Sequence, residues 1–318
     1  MFALGMFGDG NRTFAGLVRR DDEVVDLGPE GWSSTRDILA DWEAAFGRLQ
    51  HIAESDEPRA RPAASLRVLA PVTPVQVLQS GANYRRHVID IILAEERQRG
   101  QMSPEQALAM GERIMDERAA SGEPYLFFGT ATAMCGPHDD VLLPADGDQH
   151  DWELELAAVI GRPGRHIPVD QALEHVAGYT IVNDITTRDL VYRPDLEAIG
   201  TDWLRAKNAP TFLPTGPYLV PAAFVPDPMA LTVTLRLNGE VMQDGTTADM
   251  IYDVADLVAY ASRRVALRPG DLVLTGSPAG NGMYHGRFLK EGDVMVGEIT
   301  HLGQQRNRCV LAARVATP

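Results

Sequence analysis

The chain has 318 residues, 45% hydrophobic and 23% charged, which suits one large domain or two unequal ones and excludes global disorder. Its 44 acidic against 29 basic side chains give a formal net charge of −15, a field that repels nucleic acid and anionic membranes. Two cysteines, Cys135 and Cys309, exclude a disulfide framework or a cysteine-rich zinc site and make a reducing compartment the default.

In chain order, Met1 to Gly10 lacks the basic and apolar regions of a secretory signal, so the expected location is the cytoplasm. Strand-like pieces follow at Thr13 to Val18 and Glu23 to Leu27. One helix is expected from Ser34 to Ala53, capped by Ser34 or Thr35, with Ile38, Leu39, Trp42, Ala45 and Phe46 on its apolar face. Glu54 to Ala64 is charged, carries Pro58 and Pro62, and reads as a linker. A short strand at Arg67 to Leu69 and a rigid Pro71 to Pro74 turn precede a buried strand, Gln76 to Gln79, ending at Ser80-Gly81. A long helical region comes next. Ser103-Pro-Glu-Gln106 fits a capping box, Leu108, Met110, Ile114 and Met115 supply apolar positions, and Gly122 marks the stop.

From Pro124 onward the pattern is strand-rich, with segments at Val141 to Leu143, Trp152 to Ile160, Gly178 to Asn183, Tyr218 to Val220, Leu231 to Leu237, Asp271 to Thr275 and Val294 to Ile299. A helix from Met250 to Arg264 interrupts it. The uncharged stretch Asn208 to Pro226 holds five prolines and cannot be a membrane helix.

Chemistry concentrates in a few places. In the strand Asp151-Trp-Glu-Leu-Glu-Leu156, alternation points Glu153 and Glu155 one way and Trp152, Leu154 and Leu156 into a core. Two carboxylates about 7 Å apart near a core are costly without a cation, although a solvated strand face also accounts for them. Asp184 ends the apolar strand Gly178-Tyr-Thr-Ile-Val-Asn-Asp184, where either a ligand or a turn residue is expected. Together the three acids form an all-oxygen set suited to Mg²⁺, Mn²⁺ or Ca²⁺ rather than zinc. If the chain is helical at His87, Asp90 lies at i+3, and an acid holding one imidazole nitrogen leaves the other free as a base. An isolated pair of this kind is more often a surface histidine with an accidental acidic neighbour. Lys207 sits in a proline-flanked loop, and Arg188-Asp189 follows Asp184 closely. The Gly-rich turn Thr275 to Gly280 after a strand can aim N–H groups at an anion, or be a plain turn. It matches neither a Walker loop nor a dinucleotide fingerprint.

These pieces, in this order, resemble the fumarylacetoacetate hydrolase family over about Val68 to Val310. The carrying motifs are Asp151-Trp-Glu-Leu-Glu-Leu, Gly178 to Asp184, Thr187-Arg-Asp189, the Lys207 loop with Phe212 to Pro217, Asn238 to Gln243, Leu267 to Asp271 and Thr275-Gly-Ser-Pro278. The resemblance implies an α+β, β-rich fold: a mixed β-roll or sandwich catalytic domain over 68–318, a small N-terminal domain over 1–67 and a helical lid at about 84–123. It implies a homodimer and a divalent metal, Mg²⁺ first, with Mn²⁺ or Ca²⁺ as alternatives, held by Glu153, Glu155 and Asp184. Residues matching substrate contacts are Tyr84, Arg188, Gln243, Thr275, Gly276 and Ser277. Those matching the catalytic set are His87, Asp90 and Lys207.

The expected activity is hydrolytic C–C cleavage of a 1,3-diketo acid, with a small keto or diketo acid as the only partner class besides a second copy. Decarboxylase, isomerase and hydratase or lyase chemistry through the same metal-bound enolate are the alternatives, and a non-catalytic paralogue is the rival class. Four departures stand out. The family glutamate is Asp90. The segment from Asp90 to Pro124 is longer, which suggests a larger lid and a bulkier substrate. A frequent lysine is replaced near Gly129, and a frequent glutamine is Val191.

Overall fold

The computed structural model of the chain describes residues 1–19, 22–55, 60–198 and 200–312. The fold is α+β and β-rich. Its first sheet has five antiparallel strands, in the spatial order Arg61–Pro62, Glu23–Asp26, Thr13–Val18, Ala3–Gly8 and Arg67–Leu69. The expected linker is therefore partly strand. Pro62 takes an edge position, where a missing N–H costs no ladder bond, and 56–59 lie outside the described residues. Arg67–Leu69 pairs with Met6 to Gly8, so this sheet extends past the boundary expected at 67.

The single helix expected from Ser34 breaks into Thr35–Leu39 and Trp42–Glu54. Ser34 caps the first in a capping box with Asp37. The break at Ala40-Asp41 lets Ile38 and Leu39 in one piece and Ala45 and Leu49 in the other all reach the same core, which one straight stripe drifting around a helix does not do.

A six-stranded sheet forms the centre, in the order Val220–Pro221, Val176–Asn183, Leu154–Ile160, Leu272–Leu274, Val77–Ser80 and Leu126–Gly129. Only Leu272–Leu274 and Val77–Ser80 run parallel. Alternation holds on its central strand. Trp152, Leu154 and Leu156 pack with Val233, Leu235 and Leu257, from a second, five-stranded sheet and from the helix Val254–Arg264. Ala157 and Val159 pack with Leu4, Leu17 and Leu39, so the N-terminal sheet and its helices cover the other face. The helix expected from Met250 starts at Val254, because Asp253 and Asp256 close a capping box there.

Two helices, Arg85–Arg99 and Pro104–Ser121, form a hairpin, the second entered through the expected Ser103–Gln106 capping box. Its seam keeps the expected Met115, with Met110 and Ile114 half-buried, but not the expected Leu108. Ala107, Gly111 and Met115 are buried while Leu108 is exposed, since the small residues admit Ile89 and Ile92 of the facing helix. Gly122 ends the helix where a Cβ would lie 2.5 Å from Tyr252 Oη. Among the described residues no helix is long and apolar enough to cross a membrane.

These pairings gather at one edge of the central sheet the C-terminal ends of Val77–Ser80, Val176–Asn183 and Leu272–Leu274 and the N-terminal ends of Leu154–Ile160 and Leu126–Gly129.

Candidate active site

Glu153 and Glu155 point to the same side of that edge, and backbone lacing extends it by one residue. The Glu153 N–H donates to Asn183 Oδ1 (2.9 Å), and the Asp184 N–H donates to the Glu153 carbonyl (2.9 Å). Asp184 thereby meets both glutamates, and one oxygen from each of the three acids lies within 4.8 Å of the others. All three are at most 7% exposed, which disposes of a solvated strand face.

Lys207 Nζ lies 2.5 Å from Glu153 Oε2 and 2.7 Å from Asp184 Oδ2. Arg188 bridges Asp151 (2.8 Å) and Glu153. Gln79 Nε2 donates to Asp184 Oδ1 (2.6 Å). The Gly-rich turn does aim an N–H at an anion, and the anion is Glu155: Gly276, at φ +87, donates to its Oε2 (2.8 Å).

Four buried carboxylates, Asp151, Glu153, Glu155 and Asp184, thus face two cations, Arg188 and Lys207. Burial pushes Glu155 well above the usual carboxylate range, and Asp184 and Glu153 push it further. Burial and Glu153 raise Asp184 as well, against Lys207. Burial would also raise Glu153, but Arg188 and Lys207 overcome it and hold the group low. With all four ionised the surplus is two negative charges on hard oxygen donors, which is what a divalent cation with ligands at about 2.0–2.6 Å neutralises. The residues present fit such an ion.

Beside the acids lies a cavity of about 150 Å³ whose lining includes His87, Glu153, Glu155, Arg188, Lys207 and Ser277. Its outer wall is aromatic. Phe127 and Trp203 stack at 4.8 Å, and Trp203 Nε1 donates to Tyr125 Oη (2.9 Å). Larger hollows of about 330 and 300 Å³ lie beside Phe2 and His301 and in the helical hairpin beside Glu96. Neither holds the acidic cluster, so chemistry places the site in the smaller one. Two buried polar atoms of the lining residues, Ser80 Oγ and His87 Nδ1, have no partner among the described residues, as expected where a ligand or water supplies the missing bonds; Gln79 Oε1 and Tyr84 Oη, outside the lining, are unpartnered as well.

Of the side chains expected to touch substrate, Arg188 and Ser277 line the cavity. Gln243 is committed elsewhere: Oε1 accepts from the Leu154 N–H (3.1 Å), and Nε2 donates to Ser277 Oγ (2.8 Å) and to the Pro278 carbonyl (2.9 Å). Thr275 Oγ1 donates to the Leu156 carbonyl (2.9 Å). Both brace the turn from behind. Tyr84 is fully buried.

His87 enters from the first turn of Arg85–Arg99 and is 5% exposed. Burial lowers its pKa to about 4; Arg188 and Lys207 lower it further, while Glu153 opposes them. The expected hydrogen bond to Asp90 is not made. Positions i and i+3 diverge by about 60° around a helix, and an aspartate side chain is short. The charges that Asp90 meets are those of Arg86, Arg97, His285 and Asp249.

Gln79, Asp151 and the Tyr125–Phe127–Trp203 wall were missed from the sequence. An amide at the end of the apolar run Val77-Leu78, and a tryptophan four residues before Lys207 on one helical turn, were the available signals.

A pH effect follows for the metal-free protein. The folded His87 pKa, about 4, lies below its ordinary 6.5, so the unfolded chain binds the proton first and acidification from pH 7 favours unfolding. Between pH 7 and pH 5 the loss is about 2 kcal/mol. Glu155 and Asp184, raised in the fold, act in the opposite direction. Urea denaturation in EDTA at both pH values, for wild type and His87→Asn, isolates the histidine contribution. Equal pH slopes for the two proteins would refute it.

A model of the fumarylacetoacetate (FAA) hydrolase C-terminal domain matches residues 76–310. The human mitochondrial oxaloacetate tautomerase FAHD2A is 43% identical over 190 residues, 59% of this chain and 59% of that protein. A 2,4-didehydro-3-deoxy-L-rhamnonate hydrolase from Sphingomonas sp. (strain SKA58) is 42% identical over 191 residues, 58% of this chain and 65% of that protein. The chain therefore aligns with about three-fifths of the length of these curated relatives. The solved fumarylacetoacetate hydrolase from psychrophilic Exiguobacterium antarcticum superposes with a TM-score of 0.76 at 29% identity, over 98% of this chain and 100% of that one. With the match to 76–310 spanning most of its length, the chain belongs to the fumarylacetoacetate hydrolase family.

Proposed function

We propose that the protein interconverts keto and enol forms of a small 2-keto acid with the help of a divalent cation, Mg²⁺ first. The observation that carries this reading is His87: a buried, neutral ring in the cavity beside Glu153, Lys207 and Arg188, with no carboxylate behind it. A cation bound by Glu153, Glu155 and Asp184 would supply a Lewis acid for the substrate's oxygens and acidify the adjacent C–H. His87 then exchanges a proton with the substrate carbon at a free ring nitrogen. A neutral imidazole with an unpartnered ring nitrogen can accept that proton. Arg188 pairs with the substrate carboxylate, and Lys207 faces the oxygen on which charge grows. The Phe127–Trp203 wall keeps water out. The cavity, about 150 Å³, is below the roughly 300–1,000 Å³ of ordinary ligand pockets, which favours a keto acid of few carbons over the bulkier one suggested by the long hairpin. The relatives named oxaloacetate tautomerases supply the first substrate to try. A homodimer and a lid role for the hairpin belong to the same proposal through the family resemblance.

Hydrolytic C–C cleavage is the second reading. It draws on the shared helix of His87 and Asp90 and on the relative named a rhamnonate hydrolase. Asp90→Asn separates the two. Tautomerisation continues within about twofold, whereas a His–Asp pair activating water loses about 10²–10⁴-fold. The assay follows enol absorbance of oxaloacetate and of an acylpyruvate, with Mg²⁺ and with EDTA, and identifies products. Metal-dependent cleavage of the acylpyruvate into pyruvate and a second acid, without tautomerisation, would reverse the order.

A further inference from the structure

We infer that Gln79 is a positioning residue that fixes the metal-binding acid Asp184, and that residue 129 is glycine to leave room for the Gln79 carboxamide. The inference rests on the divalent-cation site proposed above.

Gln79 is 1% exposed, on a strand between Leu272–Leu274 and Leu126–Gly129. Its Nε2 donates to Asp184 Oδ1 at 2.6 Å, while Lys207 takes Oδ2 at 2.7 Å. Asp184 is thus held at both oxygens, and Gln79 sets the carboxylate plane. An ionised carboxylate only accepts, so the amide must turn its NH₂ toward Asp184. That leaves Oε1 buried without a partner among the described residues. A side chain kept only to fill space has no use for an unpaired carbonyl.

Gly129 gives an independent indication. It lies in a strand, paired with Val77, and its φ is not in the positive range, so its backbone does not require glycine. A Cβ there would stand 2.6 Å from Gln79 Oε1 and 2.8 Å from Gln79 Cδ. Glycine inside a strand often marks such a close approach. Any larger residue would push the amide off Asp184.

Groups that orient metal ligands typically govern affinity by about 10–100-fold. The test is calorimetric titration of the full chain with Mn²⁺, for wild type, Gln79→Met, Gly129→Ala and the double variant. Gln79→Met should weaken binding by about 10–100-fold. Gly129→Ala should weaken it by displacing the amide, and should add nothing in the Gln79→Met background, because both act through one contact. Gln79→Asn, too short to reach Asp184, should weaken binding too and serves if Gln79→Met lacks a cooperative melt in EDTA. Affinity within about twofold of wild type in folded Gln79→Met or Gln79→Asn overturns the role of Gln79 alone. A Gly129→Ala effect that persists in the double variant overturns its link to Gln79. A wild type that binds no Mn²⁺ overturns the metal reading and this inference with it.

Discussion

His87→Asn lowers kcat by about 10²–10⁴-fold, the ordinary contribution of a positioned general acid or base, and leaves Mn²⁺ affinity within about twofold. The division follows from geometry. The three acids that can hold the cation come from the central sheet edge, whereas His87 comes from the helical hairpin and lines the same cavity. Its Nδ1 is unpartnered, so removing the ring breaks no internal hydrogen bond there, and asparagine fills part of its volume. The neutral state matters for the sign. At pH 7 a ring with a pKa of about 4 is deprotonated, ready to accept from carbon and contributing no charge that would compete with a cation. Steady-state rates by enol absorbance, paired with calorimetric titration, test both halves. A fall in kcat below tenfold would remove His87 from the reaction, and loss of Mn²⁺ binding would make it part of the metal site.

The parts of this site that were legible in the sequence are those written in short-range periodicity. Strand alternation alone sets Glu153 and Glu155 apart from Trp152, Leu154 and Leu156. The capping box at Ser103 closes over three residues and is read the same way, whereas the equally short one at Asp253 is passed over and the helix placed from Met250. What alternation cannot carry is who waits across the sheet. Gln79 meets Asp184 over 105 residues of chain, and Gln243 meets the Leu154 N–H over 89. A buried glutamine therefore reads alike whether it holds a ligand acid or braces a turn. The absence of a His87–Asp90 hydrogen bond has the complementary reason. The spacing of the pair is local, but Arg86 and Arg97 of the same helix compete for Asp90, and tertiary packing adds His285 and Asp249.

Lys207→Met destabilises the metal-free protein by about 3–5 kcal/mol, the cost of removing one partner from a buried ion pair. Lys207 is 4% exposed and its ammonium serves both Glu153 and Asp184. Without it, among the described residues, the Glu153 carboxylate keeps Arg188 and the Asp184 carboxylate keeps the Gln79 amide. Methionine fills the space but supplies no charge. The deficit has a pH sign. Burial and Glu153 already raise the Asp184 pKa against the pull of Lys207, so loss of the lysine raises it further. Protonation on acidification then relieves the repulsion, and the gap from wild type narrows as pH falls. It also has a metal sign. A divalent cation held by the same acids replaces the missing positive charge, so added Mn²⁺ stabilises Lys207→Met more than it stabilises wild type. Urea denaturation of both proteins in EDTA and in saturating Mn²⁺ checks this. A deficit below about 1 kcal/mol in EDTA would place Lys207 outside the charge balance of the acids. A deficit of full size that metal leaves unchanged would mean that Lys207 and the cation do not share the same carboxylates.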